Sequence, residues 1–204
     1  MPRIDDYLKA RKLSVASLRR VSFEAIVHRS GFESESSHII KVPFLDQVYH
    51  VRYPEFNFEN RQDTSKEVPI QEQILILHYM EGSGAGPLTG RWVSYREIPG
   101  ASFYYAAFLK RAVEPIKKAF GYNPTPLVEA VRPLGGVKVE AGDAGYQFQV
   151  FPGVPLQLIL HAGDDEFPPE ANILFDGNLE RIFSPEDIAW MAGMVAYRLI
   201  ALAR

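Results

Sequence analysis

Three adjacent acids, Asp164, Asp165 and Glu166, head the densest run of carboxylates in the chain. Between Gly163 and Asp187 eight acidic residues stand against one base, Arg181. Hard cations such as Mg²⁺ or Ca²⁺ take clustered carboxylates as ligands, and two carboxyls can also share general acid–base work. These three residues are therefore the candidate metal ligands. The plain alternative is a solvated turn, because no alternating acids precede a glycine in the frame of a calcium-binding loop.

Two histidines offer a different chemistry. His161 ends a strand beside Asp164 and Asp165, and His78 lies on the apolar side of a helix, four residues after Ile74. Together they could serve as axial ligands of a haem or corrinoid, although nothing in the sequence positions them together. Each also reads as a hydrogen-bonded structural histidine. Arg91, Trp92 and Tyr95, with Arg96, could form an anion-binding aromatic wall, or simply stack at the surface. A divalent metal or a tetrapyrrole is thus the cofactor class these side chains could hold. His38 and His50 fall on one expected hairpin and could pair.

Other activities lose their signatures. The glycine-rich run Gly82 to Gly90 would bring backbone N–H groups close to phosphate. Its spacing fails: a dinucleotide fingerprint needs glycine where Pro87 stands, and a P-loop needs lysine where Arg91 stands. It reads as a flexible connection or lid. No Gly-x-Ser-x-Gly elbow and no His-Glu-x-x-His pair occurs. There is no cysteine, so a self-ligated iron–sulfur cluster, a thiolate zinc site and a cysteine nucleophile are excluded. The net charge of −3 argues against nucleic acid. The locally basic start also carries Asp5, Asp6 and Glu24, against the pattern of a transit peptide. The most apolar segment, Ile188 to Ala203, contains Arg198 and is short for a membrane span. A cytoplasmic, non-membrane protein is the expectation.

The elements that must position these residues follow from patterning. Asp5 to Lys12 and Ser22 to His28 read as helices, the second capped by Ser22 and stopped by Gly31. The β-rich runs His38 to Leu45 and Val48 to Tyr53 suggest a hairpin around Asp46-Gln47. Phe56 to Lys66 is polar and reads as a loop. Pro69 and Gly82 bracket a helix over Ile70 to Met80. Trp92 to Tyr95 reads as a short strand. Ser102 to Ala119 carries a helical stripe that Pro115 should kink or end early, and Pro126 to Val131 is a shorter helix. Tyr146 to Phe151, Val154 to His161 and Ala171 to Phe175 read as strands. Ser184-Pro185-Glu186-Asp187 then announces a long apolar C-terminal helix. The expectation is one domain over residues 1–204, of α+β class, with a mostly antiparallel sheet built from hairpins and packed against several helices.

Two stretches carry a resemblance. One runs from Leu77 through Gly82-Ser-Gly-Ala-Gly-Pro-Leu-Thr-Gly90 to Glu97. The other runs from Gly142-Asp-Ala-Gly-Tyr146 through Gly163-Asp-Asp-Glu-Phe-Pro168 and Ile173-Leu-Phe-Asp176 to Ser184-Pro-Glu-Asp187. Over nearly the whole chain it resembles the family catalogued as domain of unknown function 3786. That resemblance implies a bacterial or archaeal setting, often anaerobic. Some relatives carry an added cysteine-rich iron–sulfur segment, whose cysteines this chain lacks. No catalytic residues come with it.

Three functions remain in view. The leading one is a non-enzymatic ligand- or cofactor-binding accessory protein of anaerobic metabolism. The others are a metal-assisted hydrolase using Asp164, Asp165 and Glu166, and a homodimeric interaction module without a small ligand. The C-terminal helix supports a homo-oligomer or protein partner. Ile188, Ala192, Val195, Leu199 and Leu202 make an inward stripe, while Trp190, Met194 and Tyr197 occupy the opposite side.

Overall fold

Ser22 opens a helix as its type dictates: its side chain accepts from Ala25 N, and Gly31 closes the helix in the left-handed region at φ 68°. The computed structural model describes residues 4–82 and 86–203. Where the sequence suggests one domain, the chain groups into two compact units, Met1–Gly86 with Arg181–Phe183, and Pro87–Glu180 with Ser184–Arg204.

The first unit holds helices α1 (Ile4–Leu18), α2 (Phe23–Ser30) and α3 (Ile70–Glu81), and strands β1 (Glu33–Ser36), β2 (Ile39–Phe44), β3 (Gln47–Arg52) and β4 (Asn57–Asn60). The strands form an antiparallel meander in chain order. The expected hairpin is β2–β3, with Phe44 paired to Gln47 across the turn. Ile40, Val42, Tyr49 and Val51 turn their side chains into the core. α1 packs on α3, where the Arg11 guanidinium donates to Gln73 Oε1 at 2.7 Å and to the Phe56 carbonyl at 2.7 Å. The buried Tyr49 hydroxyl donates to the Glu72 carboxylate. β4 corrects the expected loop: Asn57-Phe-Glu-Asn60 carries little apolar signal because it is an edge strand, held by backbone pairing to β3.

The second unit holds β5 (Trp92–Ser94), β6 (Val137–Lys138), β7 (Ala144–Phe151), β8 (Val154–His161) and β9 (Glu170–Asp176) in the spatial order β5-β9-β8-β7-β6. All pairings are antiparallel, as the α+β reading requires. Its helices are α4 (Tyr105–Phe108), α5 (Glu114–Phe120), α6 (Thr125–Val131) and α7 (Pro185–Leu202). The helix expected over Ser102 to Ala119 is broken: Ala101–Tyr104 is a 3₁₀ turn, and Leu109–Val113 widens into a π turn before α5. Pro115 accounts for the π turn, since it has no N–H to donate and its ring would clash with the carbonyl one turn back.

α7 begins as its sequence announces. Ser184 accepts from Asp187 N, and the Asp187 carboxylate accepts from Ser184 N. Ile188, Ala192, Val195 and Leu199 of the inward stripe are buried, while Leu202 at the end of the helix is half-buried. On the other side the Arg111 guanidinium lies 4.5 Å from the Trp190 ring. Tyr197 is 58% exposed. Gly193 admits the π turn: a Cβ there would meet Arg111 Cβ at 3.3 Å. No helix among the described residues is long and apolar enough to cross a membrane.

Candidate functional site

The acidic run resolves into two turns flanking β9. In the first, the Asp164 carboxylate accepts from Glu166 N at 2.8 Å and from Phe167 N at 2.7 Å, while Asp164 N donates to the Phe167 carbonyl at 2.9 Å. Those backbone donors, Phe167 first, hold the carboxyl below the usual aspartate range. Asp164, Asp165 and Glu166 are all exposed. Among the described residues no three His, Asp or Glu side chains are grouped to hold a metal ion. The geometry therefore adds nothing to the metal-ligand reading of this turn. His161 is exposed and paired with Glu170 across β8–β9.

The second turn carries the residue that acid counting did not single out. Asp176, at the end of β9, is 2% exposed. Its carboxylate accepts from Thr89 N at 3.0 Å, Thr89 Oγ1 at 2.9 Å, Gly90 N at 2.9 Å and Asn178 N at 3.0 Å. Gly177 N donates to the Arg91 carbonyl at 2.9 Å beside it. Burial is the largest single influence on this carboxyl and pushes its pKa up. The donors from Thr89, Asn178 and Gly90 together outweigh burial and leave it below the ordinary value. The end of the glycine-rich run thus does form an anion cradle, and the anion is the chain's own Asp176. The expected lid spans Gly82 to Gly90; Ser83, Gly84 and Ala85 of it lie outside the described residues.

The aromatic wall needs correcting at Tyr95. This residue is 1% exposed and stacks on Phe108 at 4.2 Å with an interplanar angle of 3°. Its hydroxyl donates to the Pro185 carbonyl at 2.7 Å, and burial pushes its pKa up to about 12. An aromatic in that position closes a core and cannot face an anion. Arg91 is exposed, and Trp92 is half-buried opposite Asp176 in the β5–β9 ladder. Arg96 stacks over Tyr105 at 4.1 Å instead. His78 is half-buried on α3 in the first unit, and His161 belongs to the second. His50 faces Glu35 at 3.2 Å, while His38 lies 3.5 Å from the Ser36 and Ser37 hydroxyls.

A concave site lies where sequence reading placed none. Between α2 and β1 a groove of about 490 Å³ is lined by Phe23, Glu24, Val27, His28, Ser34, Ser36 and Ser37. Its origin is local. Ser34 pairs with Ile40, so it continues the face that Ile40 buries. A hydroxymethyl group stands there in place of a large apolar side chain, and α2 is left partly uncovered above it. Phe23 and Val27, one helical turn apart, form an apolar wall, and the serine hydroxyls form a polar rim. The signal was the small, polar run Ser34-Glu-Ser-Ser37 beside an amphipathic helix.

The chain matches the model of the family described as Domain of unknown function (DUF3786) over residues 22–198. It belongs to that family. No curated protein and no solved structure matches it.

Proposed function

We propose that this member of a family of unknown function is a non-enzymatic ligand-binding accessory protein whose ligand occupies the α2–β1 groove. The observation that supports it is the groove itself: an apolar wall of Phe23 and Val27 with Ser34, Ser36 and Ser37 opposite, in a volume typical of small-molecule sites. The link to anaerobic metabolism rests on the family resemblance alone. The carboxylates offered for a hydrolase argue less well. Asp164 is spent on its own turn and Asp176 on the Thr89–Gly90 segment.

Native mass spectrometry of protein prepared without oxygen tests this reading. Wild type is expected to carry a bound small molecule, and Val27→Trp, which fills the groove, is expected to lose it. A ligand that survives the substitution would place the site elsewhere.

A further inference from the structure

Charge narrows what the groove can hold. Its lining contains no lysine and no arginine, and its one carboxylate is Glu24. The neighbouring acids of the edge strand are already paired: Glu33 with Lys41 at 2.8 Å, and Glu35 with His50 at 3.2 Å and Arg61 at 3.5 Å. Glu24 has no ion-pair partner among the described residues. An anionic ligand would meet the repulsion of Glu24 with no cationic side chain in the lining to offset it, whereas a cation would pair with that carboxylate. His28, one turn along α2, is a hydrogen-bond acceptor for an N–H when its imidazole is neutral.

Shape narrows it further. An added β-strand is disfavoured on this edge, because the β1 ladder is interrupted by a register shift between Ser34 and Ser36 and its outer side carries Glu33 and Glu35. A compact molecule suits about 490 Å³ better.

We infer that the α2–β1 groove takes a small organic cation, an amine with an apolar or aromatic body. The ammonium lies against Glu24, the body against Phe23 and Val27, and the serine hydroxyls take its remaining polar atoms. This rests on the groove being the ligand site. Two matched probes separate the claims, 2-phenylethylamine and phenylacetate, each titrated while backbone amide signals are followed by NMR. The amine is expected to shift the signals of Val27 and Ser34, and phenylacetate is not. Glu24→Gln, a change on the exposed side of a helix, is expected to weaken amine binding by about threefold or more. Equal binding of phenylacetate, or an unchanged amine affinity in Glu24→Gln, overturns the cation and leaves the groove standing. No shift at Val27 or Ser34 with either probe overturns the groove as well.

Discussion

Asp164 and Asp176 flank the same strand, and in sequence they look alike: an acid beside a glycine, in the most acidic quarter of the chain. Asp164 follows Gly163 and Asp176 precedes Gly177. Both carboxylates accept backbone N–H groups, and both are held below the usual aspartate range. The difference lies in where the donors come from. Asp164 binds the amides of Glu166 and Phe167, inside its own exposed turn. Asp176 is buried and takes its donors from Thr89 and Gly90, far away in sequence, as well as from Asn178. A local, solvated carboxylate shapes a few residues that water could also satisfy. A buried one that reaches across the chain joins two segments, and its loss removes the hydrogen bonds that hold them together.

The sharpest way to break the comparison is to remove both carboxylates in turn. Asp176→Ala is expected to destabilise by about 2–4 kcal/mol in a urea titration, since four hydrogen bonds to one buried carboxylate are lost at once. It should also speed amide exchange at Thr89 and Gly90. A loss under about 0.5 kcal/mol, within the range of ordinary surface substitutions, would mean that water takes over the cradle and that the two aspartates are equivalent.

Acid sharpens the same contrast. Asp176 has a folded pKa below its unfolded value, so its contribution to stability is fully present above the unfolded value, near pH 4. It is lost as pH falls through the folded pKa. Denaturation midpoints measured from pH 6 downwards should therefore drop below about pH 4, and the drop should be smaller in Asp176→Asn. An identical acid profile in that variant would assign the acid sensitivity to other carboxyls.

A smaller effect is expected from the backbone of the first turn. Gly163 N donates to the Gly121 carbonyl at 2.9 Å, and a Cβ on Gly163 would meet Pro169 N at 2.7 Å. Gly163→Ala should cost about 1–3 kcal/mol, the range for overpacking against groups that cannot move away. Close packing at Gly163, more than the charge at Asp164, then seats that turn. An alanine variant as stable as wild type would return the role to the carboxylate.

What could be read in advance divides along the same physical line. Local chemistry was legible: the Ser22 and Ser184 caps, the Gly31 stop, the β2–β3 hairpin, the β8 strand and the disturbance at Pro115 all depend on neighbours in sequence. Features made by distant pairing were not. β4 is held by its ladder to β3, Tyr95 looks like a surface aromatic until Phe108 stacks on it, and Asp176 looks like any turn acid until Thr89 arrives. The groove was hidden for a further reason, since it is defined by the side chains that Ser34, Ser36 and Ser37 lack.

The smallest expected effect belongs to the acids that looked most chemical. Asp164→Asn, Asp165→Asn and Glu166→Gln, combined in one variant, keep the size of the three side chains and remove their charge. The side-chain oxygen that remains after Asp164→Asn can still accept from the amides of Glu166 and Phe167, so the turn keeps its form. All three positions are exposed, and ordinary surface substitutions change stability little. The variant should melt close to wild type. Millimolar Mg²⁺ or Ca²⁺ decides whether more than a solvated turn is present, because a cation that binds only the folded protein must raise its melting temperature. With three carboxylates not grouped for a metal, wild type and variant should show the same small response to either ion. A rise in wild type that the triple variant abolishes would restore the metal-ligand reading and give Asp164 a role beyond its own turn.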